Sequence, residues 1–125
     1  MSLGPVARES FSRDDRLRKR REFQECYASG VRVSGRFLQL FLIQRPAAGH
    51  SRLGLSVPKR VGTAVERNRL RRVFREIFRR HRAALAADCD MVLNVRSSAR
   101  KVDSADLRQD YLAAMSRATR AKPRR

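Results

Sequence analysis

The segment from Thr63 to about Leu85 constrains the fold more than any other part of this chain, because it carries two patterns with the same helical period. The first pattern is apolar. Large side chains recur at spacings of three and four residues, which predicts a long amphipathic helix with one face in a hydrophobic core. The positions are Leu70, Val73, Phe74, Ile77, Phe78 and His81. Other elements of the chain must pack against that face.

The second pattern is cationic. Residues 59–82 contain ten Lys or Arg and two Glu, a local excess of 10 − 2 = 8 positive charges. Four arginines spaced four residues apart form one ridge on the side away from the apolar face: Arg67, Arg71, Arg75 and Arg79. Like charges at this spacing repel and destabilise an isolated helix, so we expect an anionic partner. The alternatives are a merely solvated face and a membrane surface; the second is disfavoured because the core uses the apolar face and the chain has no Trp.

The composition of the whole chain favours a nucleic acid as that partner. Its 125 residues include 30 Lys+Arg and 12 Asp+Glu, a net charge of +18, and 26 of the 30 basic residues are arginine, whose planar fork grips phosphate at two points. An apolar content of 42% is enough for one folded domain. RNA is favoured over DNA because the sequence has no helix-turn-helix pair, zinc ligand set or zipper to place a helix in the major groove.

The remaining periodicities predict an α+β domain with the element order α-β-β-α-β-α. A short helix over 18–28 precedes two strands, over 36–45 and 52–57, which we expect to pair antiparallel. The arginine helix, a strand over 91–95 and a helix capped by Asp103 follow.

The chain is expected to divide into a loose N-terminal tail (1–15), a single RNA-binding domain (16–116) and a basic C-terminal tail (117–125). No apolar run approaches the ~18 residues needed to span a bilayer, and the first residues lack the apolar segment of a signal peptide, so a cytoplasmic location is expected. Cys26 and Cys89 are isolated, and we interpret both as small core residues.

The strand over 36–45 has two unlike faces. One face is all leucine and is assigned to the core: Leu38, Leu40 and Leu42. The other face carries Phe37, Gln39, Phe41 and Ile43. Aromatic side chains are unusual on a surface that only meets water, so this second face is a candidate binding surface.

No catalytic residue is predicted. Cleavage of a phosphodiester by a protein site needs clustered carboxylates for metal ions, or a pair of histidines. His50 lies in a turn and His81 at the edge of the apolar helix face, while Asp88 and Asp90 flank the start of a strand, where capping or solvation is expected. No metal site in the protein is predicted either.

A resemblance to the bacterial ribonuclease P protein family rests on the run from Arg52 to Glu76, which reads RLGLSVPKRVGTAVERNRLRRVFRE. Its centre is Arg67-Asn68-Arg69, followed by Arg71, Arg72 and Arg75 and preceded by Lys59, Arg60, Gly62, Ala64 and Val65. The resemblance covers about residues 16–116. It implies a two-layer sandwich with a mostly antiparallel sheet of about four strands. It also implies a left-handed βαβ crossover, although such crossovers are right-handed in ~98% of cases.

The resemblance further implies two binding surfaces and a ribonucleoprotein enzyme that removes the 5′ leader of precursor tRNA. The catalytic RNA subunit would be bound through Lys59, Arg60, Arg67, Asn68, Arg69, Arg71, Arg72, Arg75 and Arg79. The leader would lie in a cleft between the first helix and the sheet, at Phe23, Tyr27, Phe37, Gln39, Phe41 and Arg96. Aromatic rings stack on unpaired bases of any sequence, which suits a variable leader. The plain alternative for Phe23 and Tyr27 is that they only pack the helix on the sheet.

Catalysis is then expected from the RNA, with Mg2+ for the holoenzyme held mainly by RNA, and no DNA or membrane partner is expected. Two rival classes remain at this stage. A structural ribosomal RNA-binding protein would have the same size and charge, and a nucleoid protein would bind duplex DNA. The arginine helix together with an aromatic sheet face favours the ribonuclease P protein family over both of these classes.

Overall fold

The computed structural model describes residues 15–45, 49–85 and 88–121. Within these ranges the chain forms, in order, α1 (Arg20–Ser29), β1 (Val31–Ser34), β2 (Leu38–Gln44), β3 (Arg52–Ser56), α2 (Ala64–His81), β4 (Cys89–Val95) and α3 (Ser104–Arg120). The α+β class with a four-stranded, mostly antiparallel sheet is confirmed. The observed order α-β-β-β-α-β-α contains one strand more than the sequence predicted.

The additional strand is β1, which the sequence analysis missed because only two of its four residues, Val31 and Val33, are apolar. It forms a hairpin with β2, in which Val33 pairs with Leu40. The turn between them is held from α3, where the Asp110 carboxylate accepts hydrogen bonds from the backbone N–H groups of Arg36 and Phe37 at 2.9 and 2.8 Å.

The strand order of the sheet is β1-β2-β4-β3. The expectation that β2 and β3 pair directly is wrong, because β4 lies between them, antiparallel to β2 and parallel to β3. Six of the seven residues of β4 are buried. A strand that is apolar on both faces is most stable in the interior of a sheet, where neighbours and helices cover it. The parallel strands β3 and β4 are joined through α2.

The main core lies between one face of the sheet and the helices α2 and α3. It contains the leucine face of β2, as predicted, and the alternate residues Met91 and Leu93 of β4. The apolar face of α2 enters the same core through Leu70, Phe74, Ile77 and Phe78, all at most 5% exposed. The apolar face predicted for the arginine helix is therefore confirmed.

A second, smaller cluster lies on the opposite face of the sheet, beneath α1. Its buried members are Leu17, Cys26, Phe41 and Val92. The two cysteines are both buried and free, as the sequence predicted, but they lie in different clusters, with Cys89 in the main core. The helix α1 thus rests on few apolar contacts and covers part of the second face.

Ordered structure extends slightly beyond residues 16–116 at both ends of the described chain. Asp15 is buried, and its carboxylate lies 3.0 Å from the Arg82 guanidinium. At the other end α3 continues to Arg120, and Ala118 is 2% exposed, because the last helical turns still pack on the core. Residues 1–14 and 122–125 of the predicted tails lie outside the described residues.

Candidate nucleic-acid interface

The helix α2 begins at a well-defined cap. The Thr63 hydroxyl accepts a hydrogen bond from the Glu66 backbone N–H at 3.1 Å, and the Glu66 carboxylate accepts one from the Thr63 N–H at 2.9 Å. This reciprocal pair satisfies two of the N–H groups left open at a helix start. The Thr63 backbone and the Arg100 side chain, 3.0 Å away, hold the pKa of Glu66 below its ordinary value. The direction in which α2 leaves the preceding turn is therefore fixed.

Arg67, Arg71, Arg75 and Arg79 form a row along α2, but the expectation that this row lies opposite the apolar face is wrong. All four side chains are half-buried, because a step of four residues turns by only about 40° around a helix and keeps the row beside the core. The members of this ridge have few anionic partners among the described residues. Arg67 donates to the carbonyl oxygen of Gly62, and Arg71 donates to the Asn68 side chain at 2.9 Å. Burial and the neighbouring cations Arg16 and Arg71 lower the pKa of Arg75, so positive charges crowd at this point of the ridge. An anion placed here would relieve that repulsion.

The end of the ridge differs from its middle. Arg79 donates two hydrogen bonds to the Glu76 carboxylate and Arg80 donates one, and these bonds lower the pKa of Glu76 to about 2. Arg79 is therefore partly neutralised within the helix, whereas the residue four positions after each of Arg67, Arg71 and Arg75 is another arginine. The middle of the ridge offers the more available cations.

The other residues predicted to bind the RNA subunit lie around the same helix. Lys59, Arg60, Asn68 and Arg72 are exposed. Arg69 instead reaches sideways, and its guanidinium donates to the carbonyl oxygen of Val102 at 2.7 Å. Val65, 76% exposed, adds an apolar side chain next to these cations, which the sequence analysis did not single out as a contact. All nine predicted residues lie on α2 or on the short helical turn, Lys59–Val61, that precedes it.

The second predicted surface lies where α1 meets the sheet. The Tyr27 ring packs edge-on against Phe41 with ring centroids 4.8 Å apart, and the Tyr27 hydroxyl donates to the Asn94 side chain at 2.9 Å. Phe41 is only 6% exposed, so it supports Tyr27 from beneath. Phe23 and Tyr27 are half-buried and pack against the small cluster.

Beyond Tyr27 the sheet face is polar. The strand register places four uncharged polar residues in one row across all four strands: Ser34, Gln39, Asn94 and Ser56. Each of the four is at least partly exposed. Only Gln39 was predicted, although a polar residue at position 94 of an otherwise apolar strand is a signal that the sequence contains. The row provides hydrogen-bond donors and acceptors beside an aromatic ring.

Phe37 and Arg96 lie together at one end of the sheet. The expectation that Phe37 shares a face with Gln39 and Phe41 is wrong, because its backbone is bound to Asp110 and the ring packs against the main core. The Arg36 guanidinium lies 5.0 Å above the Phe37 ring, and the Arg96 N–H donates to the Phe37 carbonyl at 2.9 Å. Arg96 is exposed.

A group of charged residues that the sequence analysis misassigned connects α1 to the sheet. Asp90 was expected to cap or to be solvated, but it is 0% exposed inside β4. The Arg52 guanidinium donates to both of its carboxylate oxygens at 2.9 Å, and Arg45 Nε lies 2.7 Å from one of them. Each arginine also contacts a carboxylate of α1, Glu22 or Glu25. A buried carboxylate needs such partners.

Within residues 15–45, 49–85 and 88–121, no group of three or more His, Cys, Asp or Glu side chains is arranged to hold a metal ion. No helix in the part of the chain that the structure describes is long and apolar enough to cross a membrane.

The fold and these surfaces define a class: a small, strongly basic α+β protein with its cations concentrated on one helix, as is typical of nucleic-acid-binding proteins. Comparison with known proteins is more specific. The family model for ribonuclease P matches residues 11–119. The chain belongs to the ribonuclease P protein family.

Individual relatives agree with this assignment. The chain is 35% identical over 106 residues to the ribonuclease P protein component of Shouchella clausii (strain KSM-K16), covering 85% of this chain and 87% of the relative. It is 39% identical over 87 residues to that of Desulforamulus reducens (strain ATCC BAA-1160 / DSM 100696 / MI-1), covering 70% and 76%.

Solved structures show the same fold. The Staphylococcus aureus RNase P protein matches with a TM-score of 0.77 and 28% identity, covering 83% of this chain and 94% of that one. The Thermotoga maritima RNase P protein matches with a TM-score of 0.71 and 30% identity, covering 86% and 97%.

Proposed function

We propose that this chain is the protein subunit of a ribonuclease P ribonucleoprotein and acts in 5′ maturation of tRNA. The observation that carries the proposal is α2: its apolar side is buried, and Arg67, Arg71 and Arg75 form a row of half-exposed cations beside it. A rigid row of guanidinium groups suits the phosphates of a folded RNA recognised by shape. The matching family model supports the identity of that RNA as the catalytic subunit.

The interface with the catalytic RNA consists of the nine residues predicted from the sequence. They are Lys59, Arg60, Arg67, Asn68, Arg69, Arg71, Arg72, Arg75 and Arg79. The capped start of α2 supports this assignment, because it fixes the ridge relative to the turn that carries Lys59 and Arg60. Arg79 contributes least, since Glu76 already binds it.

The 5′ leader of precursor tRNA is proposed to lie across the second sheet face, beside α1. Phe23, Tyr27 and Gln39 offer accessible surface there, Arg96 offers a cation, and Phe41 supports the Tyr27 ring. Phe37 is left out of this surface, because its ring packs against the main core on the other face of the sheet. Stacking on aromatic rings and hydrogen bonds from a short polar row suit a single strand of variable sequence.

The chemistry of cleavage is assigned to the RNA subunit, with Mg2+ held mainly by RNA. The carboxylates of the protein support this division. Asp90, Glu22, Glu66 and Glu76 each bind arginine side chains, which leaves their oxygens engaged with cations of the protein itself. We place the holoenzyme in the cytoplasm and assign no DNA or membrane partner.

The proposal is tested by the RNA that copurifies with the tagged full chain from cells. We expect a long structured RNA that, mixed with purified protein, cleaves precursor tRNA at the mature 5′ end. Recovery of ribosomal RNA instead, without reconstituted cleavage, would identify a structural ribosomal protein and overturn the proposal. Tight binding to duplex DNA with no RNA recovered would do the same.

A further inference from the structure

A network of five charged side chains joins α1 to the sheet: Asp90, Arg45, Arg52, Glu22 and Glu25. Asp90 lies on the central strand and faces α1, and its register neighbours on the same row are Ile43 and Arg52. Both oxygens of its carboxylate are bound by the Arg52 guanidinium. A well-packed apolar group is often as stabilising at such a site as a buried ion pair, so stability alone does not account for it.

Each arginine bridges Asp90 to a different point of α1. Arg52 Nη1 lies 3.0 Å from Glu22 Oε2, and Arg45 Nη2 contacts Glu25 Oε1. Burial opposes ionisation of Glu22, but hydrogen bonds from the Lys19 backbone and from Arg52 outweigh it and hold its pKa below the ordinary value. Two contacts three residues apart fix both the position of α1 and its rotation about its axis.

The aromatic side chains of the proposed leader surface sit directly beside these contacts in the chain. Phe23 follows Glu22, and Tyr27 lies two residues after Glu25. Among the described residues, the apolar cluster under α1 has four buried members and three partly buried ones, so the ion pairs form a substantial share of what holds the helix in place. Apolar packing has little directionality, whereas a bidentate arginine contact has a fixed geometry.

We propose that Asp90, Arg45 and Arg52 are positioning residues for the leader: through Glu22 and Glu25 they hold α1 so that Phe23 and Tyr27 face the single strand. This inference rests on the proposed function. None of the three residues needs to touch RNA for this role. Disturbing them should therefore change recognition of the leader while leaving the binding of the catalytic RNA through α2 unchanged.

The test uses the holoenzyme reconstituted from the full chain and its catalytic RNA. Asp90→Asn is the direct variant, but removing the buried carboxylate leaves two arginines without it and can unfold the chain. The decisive variant is therefore Glu22→Gln/Glu25→Gln, which weakens the links to α1 by removing their negative charge and keeps Asp90 bound. Its matched control is Asp103→Asn/Asp106→Asn, which makes the same charge change on α3, where Asn is as good an N-cap as Asp.

Two measurements are compared between these variants. The first is the ratio of affinities for precursor and mature tRNA, which we expect to fall about two- to fivefold in Glu22→Gln/Glu25→Gln, the range that partly exposed charge pairs support. The second is hydrogen exchange of the α1 amides, which should become faster while that of α3 stays unchanged. The control variant should keep both at the wild-type value.

Three outcomes would overturn the inference. The affinity ratio could stay at the wild-type value although α1 exchanges faster, which would mean that the leader does not depend on the position of α1. Affinity for precursor and mature tRNA could fall equally, which would show a general structural role. The control could match the variant, which would make net charge the cause. Absence of any precursor preference in the wild-type holoenzyme would instead refute the proposed leader function itself.

Discussion

Single residues decide how closely α1 approaches the sheet, and Gly54 is the clearest case. A Cβ at this position would lie 2.7 Å from Phe23 Cζ and 3.1 Å from the Leu17 Cβ. We predict that Gly54→Ala lowers the free energy of unfolding by about 1–3 kcal/mol, the usual cost of overpacking, measured by urea denaturation. A second change, Phe23→Leu, should restore part of the loss because it removes the ring atoms that clash. Simple additivity of the two changes would contradict this account.

Phe41 is a residue whose role the structure redefines. The sequence pattern suggested an accessible stacking platform, but the side chain is 6% exposed beneath Tyr27. We predict that Phe41→Ala costs about 3–5 kcal/mol of stability, as truncation of a buried Phe usually does. Phe41→Leu should cost much less and serves as the matched variant, with both read from thermal unfolding. A Phe41→Ala protein that melts normally but loses precursor affinity would restore the original interpretation.

Among the elements, α2 carries the central prediction. Replacing Arg67, Arg71 and Arg75 by Ala should weaken binding to the catalytic RNA and lower the log–log salt slope by about two to three units, because up to three phosphate contacts are lost. The helix itself should persist, since the Thr63 cap remains and Ala is the best helix former. Filter binding over a salt series and circular dichroism measure the two effects. Unchanged affinity and slope would show that the ridge is only a solvated face.

The same helix should respond to acid through Glu76. Hydrogen bonds from Arg79 and Arg80 lower its pKa from an ordinary 4.5 to about 2 in the folded chain. A depressed pKa stabilises the fold at pH values above the unfolded pKa, and this contribution is lost as the pH falls from about 4.5 to about 2. NMR titration of the Glu76 carboxyl carbon should show the low midpoint, and Glu76→Gln should remove this part of the pH dependence. A midpoint near 4.5 would contradict the paired geometry.

For the whole molecule the prediction concerns activity without RNA. Nuclease-treated protein should not cleave precursor tRNA in Mg2+, and adding the catalytic RNA back should restore cleavage. The reason is that cleavage would need carboxylates grouped around metal ions. The carboxylates of Asp90, Glu22 and Glu76 are instead bound by arginine side chains of the protein. Steady cleavage by RNA-free protein at the correct 5′ end would require an active site in the chain. It would contradict the proposal that the RNA subunit carries out the cleavage.

The sequence alone determined the features that depend on local periodicity. The apolar face of α2 and the leucine face of β2 are both set by side-chain spacing within one element, and the structure confirms both placements. The arginine ridge was predicted opposite the apolar face of α2, but its four arginines are half-buried and lie beside that face. The tertiary structure decided what depends on contacts between distant residues. Insertion of β4 between β2 and β3 could not be predicted, because strand order follows from which faces the helices cover. The burial of Asp90 could not be predicted either, since its arginine partners lie about 40 positions earlier and meet it only across the assembled sheet.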